Sequence, residues 1–272
     1  MICTIRSCLS VLPNAWDVPS ALAYLADGFP AVGTTSLGVS SSRGRRDGGR
    51  ASQEANIELT AALAPLDCYV SVDLEDGYSD DPDTVADYVA QLPVDGINIE
   101  DSTAEKLVDP ALAAAKVAAI KRRCPDVFIN ARVDTYWLGQ DADPAITVDR
   151  ARQYVDAGAD GIFVPLAADP QELRTISSGI ARPLNVLVVA GMSLTDLAAV
   201  GVARVSTGSR PYAAAMYAAA QTARAVRDSE DLPQGTPYGD MQARLVDYEN
   251  TVAARKLSGD HRSAPRLDSY RH

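Results

Sequence analysis

The sequence predicts a (β/α)₈ TIM barrel, an α/β fold, on three observations. A chain of 272 residues is long enough for one large barrel or for two small domains. From position 10 to position 227, eight short apolar runs alternate with amphipathic segments, which is the rhythm of eight strand–helix units. A doubly wound open sheet, the runner-up, would favour a Gly-x-Gly-x-x-Gly motif after the first run, and the sequence has none there. We therefore expect a barrel over 1–230, a C-terminal helix in 231–255 and a polar tail over 256–272.

Each strand is predicted from a short run of apolar and β-branched residues that lies between loop-forming residues. Such runs are typical of strands that are buried on both faces of a parallel sheet. The expected strands are 10–13, 31–36, 68–76, 96–101, 127–134, 161–165, 184–189 and 204–207.

The helices are predicted from capping residues and from proline in the first turn. Asp17 or Ser20 can cap the first helix, which has Pro19 at its start. Gly158 and Gly161 mark the stop after the fifth helix of this series, 144–157. The expected helices are 19–27, 51–64, 82–92, 110–122, 144–157, 170–178, 194–200, an Ala-rich helix that ends near 227, and 238–254 beyond the barrel.

Composition and charge exclude several classes of function. The formal net charge of −11 argues against nucleic acid or an anionic membrane as the main partner. The only histidines, His261 and His272, lie in the tail, so a His-ligated zinc site or a Ser-His-Asp triad in the barrel is not expected. No apolar run approaches the roughly 18 residues of a membrane span. Four cysteines without paired spacing favour buried thiols in the cytoplasm.

The run 68–76 ends in three carboxylates, Asp73, Glu75 and Asp76. In a strand, alternate side chains share a face, so Asp73 and Glu75 are expected to point the same way. Two like charges at the end of a buried strand favour a cation between them. An acidic surface turn, in which Asp76 and Gly77 supply the turn residues, explains the same pattern.

The next two strands also end in polar residues, and the carboxyl ends of barrel strands form the active site. Glu100 shares a strand face with Asn98, and Arg132 shares one with Asn130, so both asparagines are expected to contact the substrate. Oxygen ligands without imidazole or thiolate favour Mg²⁺, with Mn²⁺ as the near substitute. The alternative for Glu100 and Arg132 is a structural ion pair across neighbouring strands.

These segments resemble the isocitrate lyase/phosphoenolpyruvate mutase superfamily, in its carboxyphosphonoenolpyruvate phosphonomutase-like branch. The resemblance covers the chain from position 12 to about position 227. Several matching segments in order are far more specific than any one of them. The matching segments are Asn-Ala-Trp-Asp (14–17), Thr-Thr-Ser-Leu-Gly (34–38), Asp-Leu-Glu-Asp-Gly (73–77), Asn-Ile-Glu-Asp (98–101), Asn-Ala-Arg-Val-Asp (130–134), Gly-Ala-Asp-Gly-Ile-Phe-Val-Pro (158–165) and Gly-Val-Ala-Arg-Val-Ser (201–206).

The resemblance implies a role for each candidate residue. Asp73 would ligate Mg²⁺ directly, while Glu75 and Glu100 would hold its water ligands. Arg132 would bind a carboxylate or enolate oxygen of the substrate. The remaining implied positions are Thr35, Ser36 and Leu37 as donors to the substrate carboxylate, Asp47 in a gating loop, and Lys106 as a mobile-loop lysine.

The implied reaction is the cleavage of a C–C bond, less favourably a P–C bond, in a small 2-oxo or 2-hydroxy acid through a pyruvate-type enolate. The loop 101–109 lacks the Cys-Gly-His run of the isocitrate and methylisocitrate lyases. Val108 and Pro165 replace the Asn and His of the phosphonopyruvate-type branch. A lyase or hydrolase of another substrate is expected, in a homotetramer that exchanges its C-terminal helix. A catalytically degenerate binding barrel and an unrelated barrel enzyme that grips a phosphate group stay open.

Four arginines crowd the loop after the second strand: Arg43, Arg45, Arg46 and Arg50. A solvated basic loop is the simpler interpretation. A cationic lid that recruits a multiply charged acid is the alternative.

Overall fold

A computed structural model describes residues 9–258 of the chain. The predictions for Cys3, Cys8, His261, His272 and most of the tail lie outside these residues. In chain order the strands are β1 Ser10–Leu12, β2 Asn14–Ala15, β3 Ala31–Thr34, β4 Tyr69–Asp73, β5 Gly96–Glu100, β6 Ser102–Thr103, β7 Lys106–Leu107, β8 Phe128–Arg132, β9 Gly161–Phe163, β10 Leu184–Leu187 and β11 Val202–Ser206.

Helices connect the strands and line the outside of the sheet. Within residues 9–258, five helices begin at an aspartate cap with proline at the first or second helical position, where the missing N–H of proline is not needed. The helices are α1 Val18–Ala26, α2 Ser36–Ser41, α3 Gln53–Leu63, α4 Pro82–Val89, α5 Pro110–Arg123, α6 Thr135–Leu138, α7 Pro144–Asp156, α8 Pro170–Gly179, α9 Leu194–Ala199, α10 Arg210–Asp228 and α11 Tyr238–Ser258.

Nine strands form one parallel sheet in the order β1-β11-β10-β9-β8-β5-β4-β3-β2. The two ends of this order, β1 and β2, are separated in the chain only by Pro13. They are two halves of one strand position, which Pro13 interrupts because it has no N–H to donate. The Pro13 carbonyl still accepts a hydrogen bond from the Gly33 N–H at 2.7 Å. The sheet therefore closes with eight strand positions, and the predicted (β/α)₈ barrel is confirmed.

The structure corrects the predicted strand ends, which run too far toward the loops. β4 ends at Asp73 rather than at position 76, and β8 ends at Arg132 rather than at position 134. After Asp73 the chain turns, because the Gly77 N–H donates to the Leu74 carbonyl at 2.9 Å. Three short features in predicted loops were missed: the helix α2, the helix α6 and the antiparallel hairpin of β6 and β7.

The C-terminal helix α11 lies against the outside of the barrel. The Tyr248 hydroxyl donates to the Ala62 carbonyl at 2.9 Å, and the Arg255 guanidinium donates to the Ala64 carbonyl at 3.3 Å. None of the residues of α11 is buried in this single chain. Across residues 9–258, no helix combines the length and the apolar character that crossing a bilayer requires.

Candidate active site

A cavity of about 660 Å³ opens at the carboxyl ends of the barrel strands. This is the end at which barrel enzymes carry their active sites. Two of the predicted site residues, Lys106 and Asn130, do not line it. The predicted residues that do line it are Thr35, Ser36, Leu37, Asp47, Asp73, Glu75, Asn98, Glu100 and Arg132.

Asp73, at the end of β4, carries a buried carboxylate oxygen with no partner. Its Oδ2 accepts a hydrogen bond from the Ser36 N–H at 3.1 Å. Its Oδ1 is buried and has no hydrogen-bond partner within residues 9–258. Burial raises the pKa of Asp73, although the nearby Arg132 charge opposes this shift. A buried carboxylate with an unpaired oxygen is unfavourable unless it binds something, so Asp73 fits a cation.

The predicted pairing of Asp73 and Glu75 on one strand face is wrong. Glu75 lies beyond the end of β4 and adopts a left-handed backbone with φ 49°. Its Oε2 accepts from the Arg50 N–H at 2.7 Å, and its Oε1 accepts from the Ser52 hydroxyl at 2.6 Å and from the Ser52 N–H at 3.1 Å. The Glu75 carboxylate therefore fastens the end of the loop before α3 to the rim of the cavity.

Glu100 and Arg132 form an ion pair across β5 and β8, where they are register partners. Arg132 pairs with Asp134 as well, and Asp134 accepts a hydrogen bond from the Ser102 hydroxyl at 2.6 Å. Burial raises the pKa of Glu100 well above its ordinary value, while Arg132 opposes this rise. The Arg132 guanidinium carbon lies 5.0 Å from the centre of the Trp137 ring, which shields it from solvent.

Asn98 and Asn130 lie at different depths. The Asn130 amide donates to the Asn98 Oδ1 at 2.8 Å, and Asn130 is 1% exposed. Asn98 lines the cavity, whereas Asn130 lies behind it and holds the Asn98 side chain in place. The geometry therefore allows Asn98, but not Asn130, to reach a ligand in the cavity.

Two loops complete the rim. The predicted loop residue Asp47 is exposed and lines the cavity, and its charge contributes to the raised pKa of Asp73. Lys106 is exposed on β7, in a hairpin that Gln140 clamps by accepting from the Leu107 N–H and donating to the Glu105 carbonyl. Lys106 thus lies outside the cavity in this structure, although its own hairpin contributes to the wall.

Asn14 is a residue of the site that the sequence reasoning did not single out. It is 2% exposed, and its Oδ1 accepts from the Ser206 hydroxyl at 2.9 Å and from the Gly208 N–H at 2.9 Å. Its Nδ2 donates to the Thr34 carbonyl at 2.7 Å. Asn14 closes the barrel at the cavity wall, and the Asn-Ala-Trp-Asp motif was the available signal.

Residues 9–258 contain no group of three or more His, Cys, Asp or Glu side chains arranged to hold a metal directly. A cage of several carboxylates around one ion is therefore absent from this part of the chain. The unpaired Asp73 oxygen still suits Mg²⁺, which binds through one or two carboxylates and keeps several waters. The roles of Glu75 and Glu100 toward metal-bound water stay predictions.

The closed barrel and its acidic cavity define an enzyme-type (β/α)₈ protein, and comparison with known proteins gives its family. The model of the phosphoenolpyruvate phosphomutase family matches residues 5–227. The chain belongs to this family, and the resemblance to the isocitrate lyase/phosphoenolpyruvate mutase superfamily is confirmed. This superfamily contains lyases, mutases and hydrolases.

Two relatives in sequence and one solved structure of the same fold are similar to this chain. An uncharacterised protein of Mycobacterium tuberculosis is 69% identical over 243 residues, which cover 89% of this chain and 94% of that protein. A 2-methylisocitrate lyase of Halalkalibacterium halodurans is 28% identical over 64% of this chain and 61% of its own length. The solved complex of phosphonopyruvate hydrolase with oxalate and Mg²⁺ is 22% identical, with a TM-score of 0.76 over 93% of this chain and 94% of that one.

Proposed function

We propose that this protein is a Mg²⁺-dependent lyase or hydrolase that cleaves a C–C bond in a small 2-oxo or 2-hydroxy acid through a pyruvate-type enolate. The observation that carries the proposal is the buried, unpaired Oδ1 of Asp73 in the barrel cavity. Cleavage of a P–C bond is less favoured, because Val108 and Pro165 stand where the phosphonopyruvate-type branch has Asn and His.

The proposed roles follow from the contacts of each side chain. When bound, Mg²⁺ would supply positive charge beside the oxygens that become negative as the bond breaks. Asp73 would hold the ion through Oδ1. Arg132 would present its remaining guanidinium N–H groups to a substrate oxygen, because Glu100 and Asp134 already fix its Nη1 and Nε. Asn98 would orient the substrate from the floor of the cavity.

Supporting features come from the walls and the loops. Trp137 and Phe163 flank Arg132 and line the cavity, which lowers the dielectric constant around any charge that develops there. The Ser36 N–H donates to Asp73, so among positions 35–37 the N–H of Leu37 is the better candidate donor to the substrate carboxylate.

Replacement of Asp73 tests the proposal. Asp73→Asn should abolish Mg²⁺-dependent turnover on a panel of 2-oxo and 2-hydroxy acids, with a loss of roughly 10²–10³-fold or more. Asp67→Asn, an exposed position outside the cavity lining, is the matched control. Turnover and Mg²⁺ affinity of Asp73→Asn equal to those of the control would refute the assignment.

A catalytically inactive barrel that binds a metal and a 2-oxo acid is the second candidate. The position of Lys106 outside the cavity favours it, because the hairpin then presents no lysine to a substrate. Binding of oxalate in the presence of Mg²⁺, with no turnover of any acid in the panel, would support this candidate over the lyase.

We also propose a homotetramer in the cytoplasm, in which the C-terminal helix of residues 231–255 exchanges between subunits. The helix α10 exposes Met216, Tyr217 and Val226, each about half exposed or more, and a second copy would cover this face. Cys68 and Cys124 form no disulfide within residues 9–258, which suits a reducing compartment. Light scattering that gives the mass of a monomer would contradict the assembly.

A further inference from the structure

The four arginines of the loop after α2 divide into two kinds. Arg43 pairs with Glu58, and Arg50 pairs with Asp76 and Asp80. Arg45 makes only a long hydrogen bond of 3.5 Å to a backbone carbonyl. Arg46 lines the cavity, and within residues 9–258 no hydrogen bond or ion pair engages its guanidinium.

The other cations of the cavity wall are already compensated. Arg132 forms ion pairs with Glu100 and Asp134. Arg50 forms ion pairs with Asp76 and Asp80. Arg46 is therefore the cavity-lining cation of residues 9–258 whose charge no carboxylate pairs with. A substrate that brings one carboxylate to Asp73 and its metal has this single unpaired cation available for a second anionic group.

Acidic groups at the mouth make that second contact selective. Asp47 and Glu105 also line the cavity, and both would repel a dianion. A dianionic ligand therefore needs a matched cation on the same rim. The planar guanidinium of Arg46 suits a carboxylate, because it can donate two parallel hydrogen bonds to the two oxygens.

We infer that Arg46 binds the second carboxylate of the substrate, so that the protein prefers 2-oxo or 2-hydroxy dicarboxylates to the corresponding monocarboxylates. This inference rests on the proposed function, because it uses the same cavity and places the first carboxylate near Asp73. Arg46 acts on specificity, and the discrimination it gives is that of a charge-assisted hydrogen-bonded pair, roughly 10- to 100-fold in affinity.

A matched pair of ligands isolates the second carboxylate. Malate and 2-hydroxybutyrate share a four-carbon 2-hydroxy acid skeleton and differ in the distal carboxylate. Calorimetry with the Mg²⁺-loaded protein should give a malate Kd about 10- to 100-fold lower than that of 2-hydroxybutyrate. Arg46→Gln should raise the Kd of malate to near that of 2-hydroxybutyrate and leave the latter unchanged.

Arg45→Gln is the control, since it removes the same charge from the same loop outside the cavity, and it should leave both Kd values unchanged. An equal effect of Arg46→Gln and Arg45→Gln would overturn the inference, as would a wild-type protein that binds the two acids equally or binds neither. Failure of the proposed function gives a different result: Asp73→Asn would then retain Mg²⁺-dependent binding of both acids.

Discussion

Asp73 is the last residue of β4 and Asp101 directly follows the neighbouring strand β5. Both carboxylates are buried, but their surroundings differ. The Asp101 Oδ2 accepts from the Arg150 Nε and from the Tyr154 hydroxyl, each at 2.7 Å, and its Oδ1 accepts from the Asp134 N–H at 2.8 Å. Asp73 has one backbone donor and an unpaired oxygen. A carboxylate that the protein satisfies fully is structural, whereas one left open inside a cavity is a candidate ligand.

Mutation of the closed network at Asp101 should reduce the stability of the protein more than mutation of Asp73. Arg150→Met leaves the Asp101 carboxylate buried without its counter-charge, so the free energy of unfolding should fall by about 3–5 kcal/mol. Urea denaturation measures this loss. A change below about 1 kcal/mol would mean that the network contributes little, and the contrast with Asp73 would disappear.

At the open site, the free energy of unfolding should depend on Mg²⁺ more than on replacement of Asp73. In metal-free protein, Asp73→Asn should change the free energy of unfolding by less than about 1 kcal/mol, because an asparagine oxygen can still accept from the Ser36 N–H. Mg²⁺ at 100 times its Kd should stabilise the wild-type protein by about 2.7 kcal/mol. Thermal shift measurements on both proteins should show stabilisation of the wild type alone, and equal shifts would argue against Asp73 as the ligand.

The pH dependence sharpens the same contrast. Burial raises the pKa of Asp73, so in the metal-free protein this carboxyl favours folding most at low pH and loses that contribution as pH rises through its folded-state pKa. Mg²⁺ requires the carboxylate, so its affinity should fall on acidification at a pH above the ordinary range of an aspartate. Calorimetric titrations from pH 7 downward measure this fall, and an affinity that is flat until pH 4 would contradict the raised pKa.

The smallest expected effect concerns the link between the hairpin and Arg132. Ser102→Ala removes the hydroxyl that donates to Asp134, which should cost about 1 kcal/mol or a little more of stability, because Asp134 is fully buried. The same change should raise KM, since Asp134 holds the Arg132 side chain. Thr103→Ala, on the same hairpin but outside this network, is the control. Equal KM values for the two variants would show that Ser102 does not position Arg132 through Asp134.

The barrel could be predicted because its rhythm is local. The strands show runs of apolar residues, and several helices show an Asp cap with a proline in the first turn. The sequence offered Asp17 or Ser20 as the cap of α1; Asp17 is the cap, and Ser20 completes the capping box. The strand ends could not be placed in the same way. Leu74 is 0% exposed, as a strand residue would be, although it already lies in the turn that leaves β4.

Whether each carboxylate is paired or unpaired depends on residues that are distant in the sequence, so it could not be predicted from the local pattern. Asp101 is satisfied by Arg150 and Tyr154, which lie on α7 about fifty residues later. Glu75 is engaged by Arg50 and Ser52, from the loop before α3. Motif order placed both acids at the correct end of the barrel, but only the fold decides which carboxylate keeps an open oxygen.

A crystal structure of the protein soaked in Mn²⁺ tests the central claim most directly, because Mn²⁺ replaces Mg²⁺ at oxygen sites and its anomalous scattering locates it. The account predicts one strong anomalous peak in the barrel cavity at about 2.1 Å from the Asp73 Oδ1, with the remaining ligands mostly water. A Mn²⁺ ion elsewhere in the chain, or an Asp73 carboxylate that stays without metal at saturating Mn²⁺, would contradict it.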